Sequence, residues 1–142
     1  MKQVVQVPGV LPYEPFGFTN CVRFKDVLYL SGISAIDPLG KIVGTDIETQ
    51  TEETYRTIQK VLRAAAPPLR PRVRPPAGRR GLMFEFLAGA SFIVDLPTNG
   101  QGYVAVRKKI LTRPTYTSAT IGVSALMMPG LLLEVQCTAA TP

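Results

Sequence analysis

At 142 residues and 46% hydrophobic content the chain is long enough for one globular domain with a single core and too short for two. Histidine is absent, which removes His-based acid–base catalysis, Ser-His and Cys-His nucleophile pairs and nearly all zinc sites, and the two cysteines, Cys21 and Cys137, have no metal-ligand spacing, so no metal site is expected. The net charge of +6 suggests a polyanion partner, but five of those charges, Arg70, Arg72, Arg74, Arg79 and Arg80, fall inside residues 66–81, and the rest of the chain is close to neutral.

In chain order, "VRFKDVLYLSG" reads as a hairpin turning at Lys25-Asp26 and ending at Ser31-Gly32. A short strand is expected at Lys41 to Val43, after the turn "DPLGK". The segment "TDIETQTEETYRTIQKVLRAAA" is the clearest helix. Thr45 and Glu48 form a capping-box pattern, and Ile47, Thr51, Tyr55, Ile58, Val61, Leu62 and Ala65 recur at helical spacing as one buried stripe. Pro67 and Pro68 end it, and the Pro/Arg-rich window that follows, with an atypical stretch at about 66–90, predicts an exposed loop. "SFIVDL" is the next strand, and Thr98 with Gln101 forms a second capping-box spacing ahead of a helix running to about Leu111. Tyr103, Val106 or Arg107, and Ile110 share one of its faces. "SATIGVSAL" and "LLLEVQCTA" close the chain as strands around the turn "MMPG". The order β-β-α-β-α-β-β predicts an α+β domain with two helices packed on one face of a mixed sheet.

These motifs in this order, from "VLYLSGISAIDPLGK" through the acid-led helix and "SFIVDL" to "TIGVSAL" and "LLLEVQC", resemble the Rid/YjgF family, the reactive-intermediate deaminases also labelled endoribonuclease L-PSP. The resemblance implies a chorismate-mutase-like fold for the single domain 1–142 and a homotrimer with ligand clefts between subunits. It also implies cofactor-free hydrolysis of imines or enamines to a carbonyl compound and ammonia. On the same resemblance Glu134 is the water-positioning carboxylate, Gly32 the glycine whose backbone approaches the ligand, and Phe18 takes the place of a substrate-facing tyrosine.

One departure stands out. The family's deaminases carry a carboxylate-clamping arginine ahead of the penultimate strand. Here, counting back from Ile121 puts Ser118 at that place, while anchoring on Pro114 puts Tyr116 there. Arg113 is the nearest upstream cation. Losing a bidentate clamp in a dry site removes about 2 to 5 kcal/mol of substrate binding. The cleft is expected to be lined by Tyr116, Thr117, Ser118, Thr120 and Glu134 and to hold a small molecule. Two readings stay open, an imine or enamine deaminase of altered specificity and a non-catalytic ligand-binding or regulatory trimer. RNA binding or cleavage through the arginine window is the weakest, since no aromatic residue interleaves those arginines. A nucleic acid is accordingly not an expected partner. No run approaches the ~20 apolar residues of a membrane span, so no membrane partner is expected either, and a cytoplasmic location is expected.

Overall fold

The turn at Lys25-Asp26 forms as the sequence predicts. Lys25 adopts a left-handed φ of 55°, and Phe24 pairs with Val27, joining β2 (Cys21–Phe24) to β3 (Val27–Leu30). A strand not expected from the sequence, β1 (Lys2–Val4), adds antiparallel to the outer edge of β2. The remaining elements of the computed structural model, which describes residues 1–65 and 84–141, are α1 (Ile47–Ala65), β4 (Glu85–Val94), α2 (Leu96–Ile110), β5 (Thr117–Val123) and β6 (Leu133–Ala140). A single 3-10 turn spans Glu14–Phe16.

The six strands run in the order β1-β2-β3-β6-β4-β5. Only β4 and β5 are parallel, and α2 is the crossover that a parallel pair requires. β6 lies at the centre, antiparallel to both β3 and β4. Its alternation is sharp. Leu133, Val135, Cys137 and Ala139 are buried under the helices, while Glu134, Gln136, Thr138 and Ala140 point to the opposite face, which no helix among the described residues covers. Both helices cover one face, as the α+β expectation required. The α1 stripe from Ile47 to Ala65 is buried throughout and meets Leu28, Leu30, Ile93, Leu133 and Val135.

Four local expectations are corrected. α1 is capped by Asp46 rather than Thr45: its carboxylate accepts from Thr49 N and from Thr49 Oγ1, both at 2.8 Å, because Gly44 turns the chain with φ 86° and delivers the acid to the first turn. α2 begins at Leu96, ahead of the Thr98–Gln101 pair. Pro97 presets the first turn there, and Asn99 Nδ2 donates to Val94 O at 2.7 Å. Lys41 to Val43 does not form a strand, because Asp37 Oδ1 accepts from both Leu39 N and Lys41 N, closing the turn so tightly that only the bridge Ile36–Ile42 remains. Finally, β4 starts at Glu85, so residues 85–90 are strand and not loop. Alanines and a glycine give weak strand propensity there, but β6 supplies hydrogen-bond partners along the whole length, with a bulge at Leu87. The Pro/Arg window itself lies outside the described residues.

One buried polar side chain ties the layers together. Gln50 is fully buried and makes three bonds: Nε2 donates to Gly44 O (3.0 Å) and Gly130 O (2.8 Å), and Oε1 accepts from Leu132 N (2.8 Å). The first turns of α1 are thereby fixed to the segment entering β6.

Candidate active site around Glu134

After Leu30 the chain leaves β3, and Ser31 anchors it: Ser31 N donates to Asn20 O (3.0 Å) and Ser31 Oγ to Thr19 O (2.6 Å). Ile33 then exchanges both backbone bonds with Val135, at 2.9 Å each. Gly32 is therefore held beside Glu134 on the uncovered face. A Cβ on Gly32 would lie 2.1 Å from Glu134 Oε1 and 2.6 Å from Cδ, so the carboxylate occupies the space that any other residue's side chain would claim. Tyr13 completes this corner. Its hydroxyl donates to Gly32 O at 2.9 Å, and its ring stands 5.0 Å from that of Phe18 at 54°. Burial, and after it the charge of Glu134, pushes the Tyr13 phenol up to about 12, which keeps it a neutral donor. Phe18 is half exposed and forms the rim.

The sequence profile of the endoribonuclease L-PSP family matches residues 12–141, nearly the whole chain. The chain belongs to the Rid/YjgF family. The fold is similar to that of solved structures: yeast Mmf1 (16% identity, all of both chains, TM-score 0.81), the Rid protein YyfA of Yersinia pestis (23%, 99% of this chain and 100% of that one, 0.75), and a YjgF/YER057c/UK114 member from Mycobacterium tuberculosis (19%, 99% and 100%, 0.74). No curated protein sequence matches the chain.

In this Rid/YjgF chain, then, Phe18, Gly32 and Glu134 come together, and Tyr13 joins them. The resemblance selects Phe18 for the aromatic place, and Tyr13 lies five residues before it. The 3-10 turn at Glu14–Phe16, with Gly17 at φ 91°, folds the intervening residues back and returns Tyr13 to the same corner. The signal available was an aromatic residue directly after proline in "LPYEPFGF".

The residues expected from β5 and the link before it lie elsewhere in the chain. Ser118 accepts from Arg107 Nη1 of α2 at 3.2 Å, and Thr120 pairs in register with Ser91, whose hydroxyl meets Tyr103 of α2. Both therefore sit on the helix-covered face. Glu134 is on the opposite face and in register with Phe92 and Ile121, so β5 is two strands away, about 10 Å. Tyr116 packs edge-on against Phe86 at 5.3 Å, and Arg113 is exposed in the link from α2.

Cys21 and Cys137 are buried free thiols. Burial raises them to about 11 and about 12, the second also by its proximity to the first, so neither is a ready nucleophile. Among the described residues no group of three or more His, Cys, Asp or Glu could hold a metal ion, and no helix is long and apolar enough to cross a membrane.

Proposed function

We propose that this Rid/YjgF chain hydrolyses a small imine or enamine to a carbonyl compound and ammonia at the corner built by Glu134, Gly32, Tyr13 and Phe18. The observation that carries this reading is the carboxylate lodged against Gly32, where no side chain intervenes between an acceptor oxygen and the backbone. The chemistry asked of it is modest, since imines already react with water. Glu134 accepts a hydrogen bond from a water molecule and directs its lone pair at the C=N carbon. The C–O bond forms as the C=N π pair moves to nitrogen, the nitrogen gains protons, and the carbinolamine collapses to C=O with loss of ammonia. Tyr13 holds the Gly32 carbonyl and so fixes the wall against which the carboxylate rests. Phe18 supplies apolar contact at the rim.

The same reading includes a homotrimer. The uncovered sheet face presents Val4, Phe24, Tyr29 and Ile121 at 41 to 52% exposure, an apolar surface of the kind that packs against other copies. Assembly across the β5 edge would bring one subunit's β5 residues toward another's Glu134. Light scattering on the eluting protein measures the mass directly.

Ammonia release from freshly generated imines, followed with wild type and Glu134→Gln, tests the chemistry. Turnover lost in the variant is the expected outcome, and a wild-type rate no better than buffer across a substrate panel overturns the reading. Ser118, standing where the resemblance expects an arginine, favours a second reading, a ligand-binding trimer without turnover. Its signature is thermal stabilisation by a metabolite that is not consumed.

A further inference from the structure

Glu134 carries its charge with no cation of the described residues to answer it. The carboxylate is half-buried, and the one ion pair among those residues joins Arg56 to Glu53 instead. Its neighbours in the sheet are neutral: Phe92 stands opposite it on β4, and Gln136 is next along the same face of β6. The Tyr13 hydroxyl in the same corner is spent on Gly32 O, at 2.9 Å. Burial and then the Glu134 charge push that phenol up to about 12, so Tyr13 feels the carboxylate without neutralising it. Nor does the strand expected to come from another subunit supply a cation. β5 reads "TSATIGV", which offers hydroxyls and apolar groups only.

A carboxylate that has given up part of its hydration is stabilised by a cation, and the walls beside this one favour the same sign. The Phe18 ring is 50% exposed and lies 5.0 Å from that of Tyr13. Ring faces attract cations, and a ligand carboxylate placed here would meet a like charge with no cation to offset it. We infer that the corner takes a cationic iminium that bears no carboxylate, with an aryl or other large apolar group on its carbon, derived from an amine and not from an amino acid. This deepens the proposed hydrolysis, on which it rests for the C=N group. The nitrogen pairs with one oxygen of Glu134, the apolar group packs on Phe18, and such a ligand asks for no arginine where Ser118 stands. Iminium and water give carbonyl and ammonium. The C–O bond forms, the C=N π pair passes to nitrogen, and both hydrogens of the water end on nitrogen, the first by way of Glu134.

The test is calorimetric titration of the full chain with three stable probes. Benzamidine sets a planar amidinium in place of the iminium, acetamidine keeps the charge without the ring, and benzoate keeps the ring and reverses the charge. Benzamidine is expected to bind saturably, and the other two at least tenfold more weakly. Glu134→Gln is expected to weaken benzamidine at least tenfold, and Phe18→Ala to erase its advantage over acetamidine. Benzoate binding as tightly as benzamidine overturns the inference, as does the absence of saturable benzamidine binding, and neither result needs a variant that folds. Unchanged benzamidine affinity in Glu134→Gln overturns it too. Turnover is scored separately, as acceleration of ammonia release from the imines formed by oxidising benzylamine and alanine, with the first expected to react at least tenfold faster. The reverse order sinks the inference and leaves the hydrolase standing. Benzamidine binding that depends on Glu134, without turnover of either imine, sinks the hydrolase and leaves the cation site standing.

Discussion

Replacing Gly32 with alanine separates a functional carboxylate from an ornamental one. The new Cβ would sit 2.1 Å from Glu134 Oε1, 2.6 Å from Cδ and 3.0 Å from Cγ. Carbon approaches its neighbours to about 3.5 Å at best, so the carboxylate must retreat by more than about 1 Å. Gly32 does not use a left-handed backbone, so alanine fits the chain without strain, and the atoms that must yield are the far end of a flexible side chain. The stability change should therefore stay within about 1 kcal/mol. A misplacement of that size at a reacting centre costs about a hundredfold in rate, equivalent to about 2.7 kcal/mol of barrier. Both quantities are read on one preparation, kcat/KM by ammonia release and stability by urea denaturation. Activity within twofold of wild type would refute the placing of Glu134 against the substrate. A stability loss of several kcal/mol would refute the unstrained backbone.

Other outcomes follow from the same geometry. Tyr13→Phe deletes the bond to Gly32 O and should lower stability by about 1 kcal/mol and turnover severalfold; unchanged turnover would show that the hydroxyl does not support the site. Gln50→Ala strands the Gly44 and Gly130 carbonyls and the Leu132 amide and opens a void, for about 3 kcal/mol in urea denaturation; a loss under 1 kcal/mol would mean that water replaces the amide. Tyr13, Cys21 and Cys137 all hold their protons to higher pH in the folded chain than in the unfolded one, at about 12, 11 and 12. Stability should accordingly be flat through neutral pH and fall once the unfolded thiols ionise above about pH 8.5, with tyrosine adding from about pH 10. An unfolding midpoint constant to pH 11 would contradict this. For the same reason both thiols should resist a disulfide reagent in buffer and react fully in guanidinium, and rapid labelling of the native chain would place them nearer the surface.

How much of this was legible depended on whether the signal was local. The α1 stripe and the alternation of β6 are written in consecutive residues, and the Lys25-Asp26 turn in two, so hydrophobic periodicity alone located them. Glu85–Ala90 was misread because its strand character comes from β6, about fifty residues later, and not from its own alanines and glycine. Gln50 reads as a polar gap in a helix until Gly130 and Leu132 are known to lie over it. In the site, Gly32 and Glu134 were found through the family resemblance, whereas Tyr13 needed the turn at Glu14–Phe16 to be folded first. Ser118 was visible as a departure. That Arg107 reaches it from the preceding helix is a tertiary fact, with only the shared face of α2 to hint at it.

The central position of β6 bears on how the protein is made. A nascent chain presents the hairpin of β2 and β3 first and the β4–α2–β5 unit next, and neither has its inner neighbour until Leu133–Ala140 emerges. Until then the edges of β3 and β4 stand open, and pairing between such edges on different chains is the hazard of this order of synthesis. The strand that joins the halves is also the one that carries Glu134, so the carboxylate reaches Gly32 in the step that closes the sheet. Incomplete chains on the ribosome therefore hold Tyr13, Phe18 and Gly32 without the carboxylate.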